Sequence, residues 1–257
     1  MVSKIHLIVP DQHSHPDNNN DRADWLGQLI KDVRPDVVVN MGDAADLASL
    51  SHFDKGKASF FARSYEKDIE SHLDFQRRLW APTKKAKRKQ PYRVVLEGNH
   101  EFRIKRALEL SPELSGDRYG LSFNDLDFNK YYHDVIEYKG NTPGITEVDG
   151  VSYAHYFISG VMGRPIGGDH HAASLLVKNF TSCVAAHSHT ADFAIRTDTR
   201  GKHIMGLVCG VYQDYTPSWA GHCGDLWWRG AVILHNVEEG CFDPQFISIK
   251  ALREEYS

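Results

Sequence analysis

Along the first half of the chain, short unbroken apolar runs alternate with stretches in which apolar residues recur every three to four positions. Ile5-His6-Leu7-Ile8-Val9 reads as a buried strand running out at Asp11. Asp21 then predicts a capped helix to Val33, with Trp25, Leu26, Leu29, Ile30 and Val33 on one stripe and Pro35 stopping it. Residues 36–41 form a second apolar strand that runs straight into Gly42-Asp43. Tyr65, Ile69, Leu73, Gln76 and Leu79/Trp80 recur at helical spacing, which predicts a helix over 64–80. A third strand, 93–96, ends at Gly98-Asn99-His100, and a helix follows to about Leu110.

The second half turns to hairpins. Residues 146–148 and 151–157 flank Asp149-Gly150, a dipeptide that supplies the positive φ angles of a two-residue turn. A helix is expected over 169–180, with strands at 182–186, 193–197, 203–209, 231–237 and 246–249. Strand–helix alternation followed by hairpins predicts an α/β protein with a mixed sheet, or two packed sheets, and helices outside. No repeat, low-complexity segment or linker interrupts the pattern, so residues 1–257 are read as one domain.

Composition narrows this picture. Hydrophobic residues at 41% and charged residues at 25% exclude a disordered or membrane-embedded chain. The first apolar run is too brief for a signal-peptide core, and no stretch approaches the roughly 20 apolar residues that span a bilayer. Lys+Arg 30 against Asp+Glu 34 leaves a net charge of -4, so any polyanion must be bound locally. Cys183, Cys209, Cys223 and Cys241 form no CxxC pair, which points to a reducing, cytoplasmic setting. With 15 His against 4 Cys and 4 Met, a bound metal would take nitrogen and oxygen ligands.

The chemistry-bearing residues cluster where strands end. In Asp11-Gln12-His13 the first and third side chains of an extended segment point the same way and can converge on one cation. Taken alone, such a triplet is more often a turn with a surface histidine. The next strand also ends in an acid, Asp43, after a glycine that permits close backbone approach to a ligand. The third ends in Gly98-Asn99-His100-Glu101, so three successive strands carry metal-competent groups at the ends where open α/β sheets build their sites. His187-x-His189 repeats the spacing of Asp11 and His13. His155 follows an apolar segment and is the remaining candidate, with a satisfied core histidine as the plain alternative and His133, His170 and His171 as competitors.

In this order, Asp11-x-His13, Gly42-Asp43-x-x-Asp46, Gly98-Asn99-His100-Glu101, His155 and His187-x-His189 resemble the signature of the calcineurin-like metallophosphoesterases over about residues 5 to 195. Three stretches, 46–55, 98–103 and 170–190, are also similar to small phosphoesterases encoded by bacteriophages and bacteria. The resemblance implies a four-layer α/β/β/α sandwich of two packed mixed β-sheets flanked by helices. It implies one metal on Asp11, His13 and His189, a second on Asn99, His155 and His187, and Asp43 between them. Such ligands suit two divalent cations, Mn²⁺ first, with Fe, Zn²⁺ or Ni²⁺ as alternatives. Two metals about 3.5–4 Å apart generate a nucleophile at neutral pH and align a phosphoryl group for in-line displacement. His100 would protonate or stabilise the leaving oxygen with Asp46 holding its imidazole, unless Asp46 is a helix cap. Arg103, Arg106 and His171 are candidate substrate contacts, though exposed helix charge is the plainer use of the arginines.

Two departures bear on the expected activity. Ala186 stands where the family commonly has glycine before HxH, which is tolerable at negative φ. Leu47-Ala48 follows Asp46 where protein Ser/Thr phosphatases carry Arg-Gly, which argues against a phosphoprotein substrate. Arg77, Arg78, Lys84, Lys85, Lys87, Arg88, Lys89 and Arg93 form a run without acids, read first as a solvated helix end and second as a phosphate-backbone contact near the site. The expectation is a phosphodiesterase acting on nucleic acid, as a nuclease, or on a nucleotide diester. A phosphomonoesterase is the alternative; a non-catalytic binding module, using Trp219 and Trp227-Trp228 as a contact surface, is the rival of another class. Buried aromatic core is the safer reading of those tryptophans. The family resemblance is compatible with a homodimer.

Overall fold

The computed structural model describes residues 3–84, 89–116 and 120–257. In chain order its first half contains β1 (Lys4–Val9), α1 (Asp21–Val33), β2 (Val37–Asn40), α2 (Tyr65–Lys84), β3 (Tyr92–Leu96), α3 (Phe102–Leu110), α4 (Phe128–Tyr131) and β4 (Asp134–Ile136). The hairpin β5 (Ile145–Val148) and β6 (Val151–Ala154) follows, then the two-residue strands β7 (Ile158–Ser159) and β8 (Arg164–Pro165). The chain ends with α5 (His171–Asn179), β9 (Cys183–Ala185), β10 (Ala191–Thr197), β11 (His203–Cys209), β12 (Gly230–Glu238), β13 (Cys241–Ser248) and α6 (Ile249–Tyr256).

Two mixed sheets result. One has the order β13-β12-β1-β2-β3-β4, with β1 to β4 parallel and β12 and β13 added antiparallel at one side. The other has the order β10-β11-β9-β6-β5, with β11, β9 and β6 parallel. Strand period 2 sends alternate residues of β1 and β2 to opposite faces, which explains the unbroken apolar runs. Leu7, Val9 and Val38 pack under the helices with Leu26, Phe75, Leu79 and Trp80. Ile8, Val37, Val39 and Met41 face the second sheet and meet Tyr153, Val184 and Leu207. A third apolar layer joins the back of that sheet to Leu175 and Leu176 of α5. The expected α/β/β/α sandwich is therefore the observed one. Among the described residues no helix is long and apolar enough to cross a membrane.

Some boundaries differ from expectation for identifiable reasons. Asn20, not Asp21, is the N-cap of α1; Asp21 and Asp24 occupy the first turn, where negative charge complements the helix dipole. The strand expected at 246–249 starts at Cys241 and includes Pro244, which the outermost strand of a sheet tolerates because only one of its edges is paired. α6 and the three-residue β4 were not anticipated. The hairpin at Asp149-Gly150 forms as read, with φ of 54° and 82° at its two turn residues.

Candidate metal centre

The parallel strands of both sheets deliver polar residues at their carboxyl ends: Asp11 after β1, Asp43 after β2, Asn99 after β3, His155 after β6, and His187 and His189 after β9. The connecting loops are sewn to one another. Asp43 O accepts from the amides of Gln12 and His13 at 3.0 and 2.8 Å, and Asp11 O accepts from Tyr212 N at 2.8 Å. Gly42, at φ 95°, lies so close to Gly98 that a Cβ there would stand 2.8 Å from Gly98 N. A Cβ on Gly98 would come within 2.2 Å of both the amide and Oδ1 of Asp43. These glycines thus let two loop backbones touch, rather than admitting a ligand to the backbone as the sequence suggested. Ala186 is absent from the positive-φ residues, so its Cβ is accommodated as expected.

The nitrogen and oxygen atoms of these side chains converge on one another. Asp11, His13 and His189 form one group, Asp43, His155 and His187 another, and His13, Asp43 and His100 a third that shares members with both. His13 Nε2 lies 3.2 Å from His189 Nε2, and Asp11 Oδ2 lies 3.1 Å from the same nitrogen. His155 Nδ1 donates to Met41 O at 2.9 Å, which turns the Nε2 lone pair inward, 3.0 Å from Asn99 Oδ1 and 3.3 Å from Asp43 Oδ2. Asp11 Oδ1, fully buried, has no hydrogen-bond partner among the described residues. Acceptors packed this tightly repel unless positive charge lies between them, and imidazole, carboxylate and amide oxygen form a donor set that suits a divalent metal.

The electrostatics point the same way. Burial and the neighbouring His100 push His13 down to about 3, and burial with His155 takes His187 to about 4, so both rings are neutral ligands at physiological pH. Burial also lowers His155, but the carboxylates of Asp43 and Asp11 outweigh it and raise the group to about 10. Burial raises Asp43, and His155 and His100 more than reverse this, leaving it well below the usual carboxylate range. The pocket thus calls for positive charge at the meeting point of Asp43 and His155, which a cation supplies as well as a proton.

Beside these donors, His100 Nδ1 lies 2.6 Å from Asp46 O and 3.0 Å from Asp46 Oδ1, while Nε2 stands 3.9 Å from Asp43 Oδ2. The N-cap of the short helix 48–50 is Leu47 rather than Asp46. Arg103 donates to Asp46 O at 2.8 Å, and its Nη2 lies 3.0 Å from His100 Nε2. Glu101, for which the sequence suggested no role, accepts from the amides of Asp43, Ala45 and Gly98 at 2.8 to 2.9 Å and so pins the β2 and β3 loops together. Burial and Asp43 raise it to about 7, against the amides of Ala45 and Gly98. Its signal was visible: an acid at a strand–helix junction, where loop amides need an acceptor. Arg22 gave none. It is fully buried, donating to Gln12 O at 3.0 Å, Asn19 O at 2.8 Å and Tyr212 O at 3.3 Å.

Other candidates fall elsewhere. His171 is buried, with Nδ1 3.3 Å from Ser188 Oγ; it props the His187–His189 loop from beneath rather than standing open to a substrate. His133 accepts from Arg93 N and stacks on Tyr92, and His170 and Arg106 are exposed, so none joins the donors. The described part of the basic run is not near the centre. Lys89 and Arg93 adjoin the start of β3 whereas Asn99 follows its end, a separation of about 17 Å for five strand residues. Arg77 pairs with Asp74, Arg78 with Asp21 and Asp24, Lys84 lies over Tyr131, and Arg93 lies over Trp80. Lys85, Lys87 and Arg88 lie outside the described residues. Trp228, half-buried, packs edge-on to Phe246 against the apolar layer between the sheets, while Trp227 stands edge-on to His189 with ring centroids 4.3 Å apart.

No curated protein matches the chain in sequence. Among solved structures, the crystal structure of TT1561 of Thermus thermophilus aligns over 95% of this chain and 99% of its own, at 10% identity and a TM-score of 0.38. The model of the calcineurin-like phosphoesterase family matches residues 5–191, a span that contains every donor described above. With that match and this gathering of histidines and carboxylates, the chain belongs to the calcineurin-like phosphoesterase family and is a metal-dependent phosphoester hydrolase.

Proposed function

We propose that the chain hydrolyses phosphodiesters of nucleic acid or of a nucleotide, using two divalent cations, Mn²⁺ first among them. The observation that carries this reading is the place of Asp43. Its Oδ1 accepts from His100 N at 2.8 Å, while Oδ2 lies between the donor sets, 3.9 Å from His13 Nε2 and 3.3 Å from His155 Nε2. Asp11, His13 and His189 would hold one cation, Asn99, His155 and His187 the other, with Asp43 shared. Bound there, the cations supply Lewis acidity and a nucleophile at neutral pH.

The chain's own groups provide the rest. Asp46 accepts a hydrogen bond from Nδ1–H of His100, which fixes the ring with Nε2 directed at the donors; protonated on both nitrogens, the ring would give its Nε2 proton to a leaving oxygen. Arg103 Nη2 sits beside that same nitrogen, so a phosphoryl oxygen that takes the guanidinium hydrogen bond also frees Nε2. Leu47-Ala48 after Asp46 offers no arginine at the position where protein phosphatases have one, which supports a diester over a phosphoprotein. The test is hydrolysis of bis-p-nitrophenyl phosphate against p-nitrophenyl phosphate with Mn²⁺, followed by single- and double-stranded DNA, RNA and cyclic nucleotides. The diester is expected to be preferred, and His100→Ala should lower its turnover about 10²–10⁴-fold with metal content unchanged. A strong preference for the monoester overturns the diester reading. No turnover of any ester by metal-loaded protein favours a binding module.

A further inference from the structure

An aromatic track leads outward from the donors to the surface. The ring of Trp227 stands edge-on to that of His189, and the ring of Trp219 lies 5.8 Å beyond it, tilted by 56°. Trp227 is held in place: Arg229 lies over it at 5.3 Å, and that guanidinium is itself fixed by Gln213 O, Tyr215 O and Thr216 Oγ1 at 2.7 to 3.1 Å. Trp228 N donates to His189 O at 3.0 Å, which ties this loop to the metal-ligand loop. Trp219, in contrast, is 64% exposed, so its ring is open to solvent beside a braced neighbour. Tyr156 lies against His187, with ring centroids 4.8 Å apart.

We propose that Trp219, braced by Trp227, is a stacking surface for a nucleobase of the substrate, and that it selects nucleotide-containing esters over other phosphoesters. The proposal rests on the phosphoesterase reading above, because a phosphoryl group at the donors places Trp219 two rings away, within reach of the base of the same or the adjoining nucleotide. Stacking on an indole suits this protein in particular. The chain carries a net charge of -4 and the described part of its basic run is remote from the centre, so backbone charge contributes little and base stacking must contribute more. A stacking surface reads planarity rather than sequence, which predicts tolerance among the four bases and a preference for single strands.

The experiment uses a 5′-phosphorylated tetranucleotide carrying 2-aminopurine, titrated with the full-length protein in EDTA and again with Ca²⁺. Stacking on Trp219 should quench the probe. Trp219→Ala should weaken binding on the order of ten-fold, and Trp219→Phe should retain most of it. A tetranucleotide with abasic positions should bind the parent and Trp219→Ala alike. Equal quenching by parent and Trp219→Ala, or the same loss of affinity with the abasic probe, overturns the proposal. If quenching depends on Trp219 but metal-loaded protein turns over no ester, the stacking surface stands and the hydrolase reading fails. If esters are hydrolysed and Trp219→Ala binds and cleaves base-containing and abasic substrates as the parent does, the stacking surface fails alone.

Discussion

Four of the donor residues, His13, Asp43, His187 and His189, have φ between 43° and 66°, a region that costs an L residue roughly 1–2 kcal/mol. Such conformations persist only where the surroundings over-determine them. Here the surroundings are specific: Asp43 O and Oδ1 each accept backbone amides, Asp11 Oδ2 accepts His187 N at 3.0 Å, and Tyr215 Oη donates to His13 O at 2.6 Å. Gly98 makes the arrangement possible, since the atoms its Cβ would strike include the backbone of Asp43, which cannot swing aside. Gly98→Ala is therefore expected to cost about 1–3 kcal/mol or more and to displace Asp43. Metal stoichiometry by elemental analysis should fall well below the parent value while circular dichroism still reports a folded protein; unchanged metal content would show that the contact is relaxed cheaply. The donors were legible because each follows a strand that sequence period already marked. For Glu101 the sequence shows its place at a strand–helix junction but not its partners, because these are amides, and backbone groups have no sequence identity.

The elements explain why those strands end in register. α1 was legible from its stripe of Trp25, Leu26, Leu29 and Ile30, and its observed span is the expected one. What periodicity could not reveal is that Arg22, an ordinary helix-surface residue by type, is 0% exposed and gathers carbonyls from two loops. α6 was missed because eight residues with one fully buried leucine, Leu252, carry too short a period to stand out. The first half of β13 is hidden from sequence because Pro244 and its polar neighbours do not resemble a buried strand. Arg22→Met keeps the length of the side chain while removing every donor, leaving the carbonyls of Gln12 and Tyr212 buried without it at roughly 1–3 kcal/mol each. Since Gln12 lies between two candidate metal donors, Asp11 and His13, the variant should lose both stability and metal affinity. Urea midpoints and metal titrations measure the two separately. A loss of stability with parental metal affinity would limit Arg22 to holding α1.

At the scale of the molecule, the donors come from both sheets, Asp11, Asp43 and Asn99 from one and His155, His187 and His189 from the other, so the centre closes one end of the sandwich. The opposite end has its own polar clasp, formed within the chain: His6 of β1 bridges Tyr153 Oη at 2.7 Å and Asp149 Oδ2 at 2.9 Å, with Lys4 on the other oxygen of Asp149 at 2.6 Å. The two ends are not equivalent. The His6 end is complete in itself, whereas the donor end crowds nitrogen and oxygen atoms that positive charge between them would stabilise. A cation that binds only the folded chain adds about 4 kcal/mol of stability at a thousand-fold excess over its Kd. For a chain of this size each kcal/mol shifts Tm by about 2–4 °C, so chelation should lower Tm by on the order of 10 °C and added Mn²⁺ should restore it. Asp43→Asn, which removes the shared negative charge but keeps the shape, should melt near the chelated parent and respond weakly to Mn²⁺. His6→Asn, at the other end, should lower Tm yet leave the response to metal at its parental size. A parent whose Tm ignores both EDTA and Mn²⁺ would mean that the sheets are held by their apolar layer alone, and that the donors are already satisfied by protons.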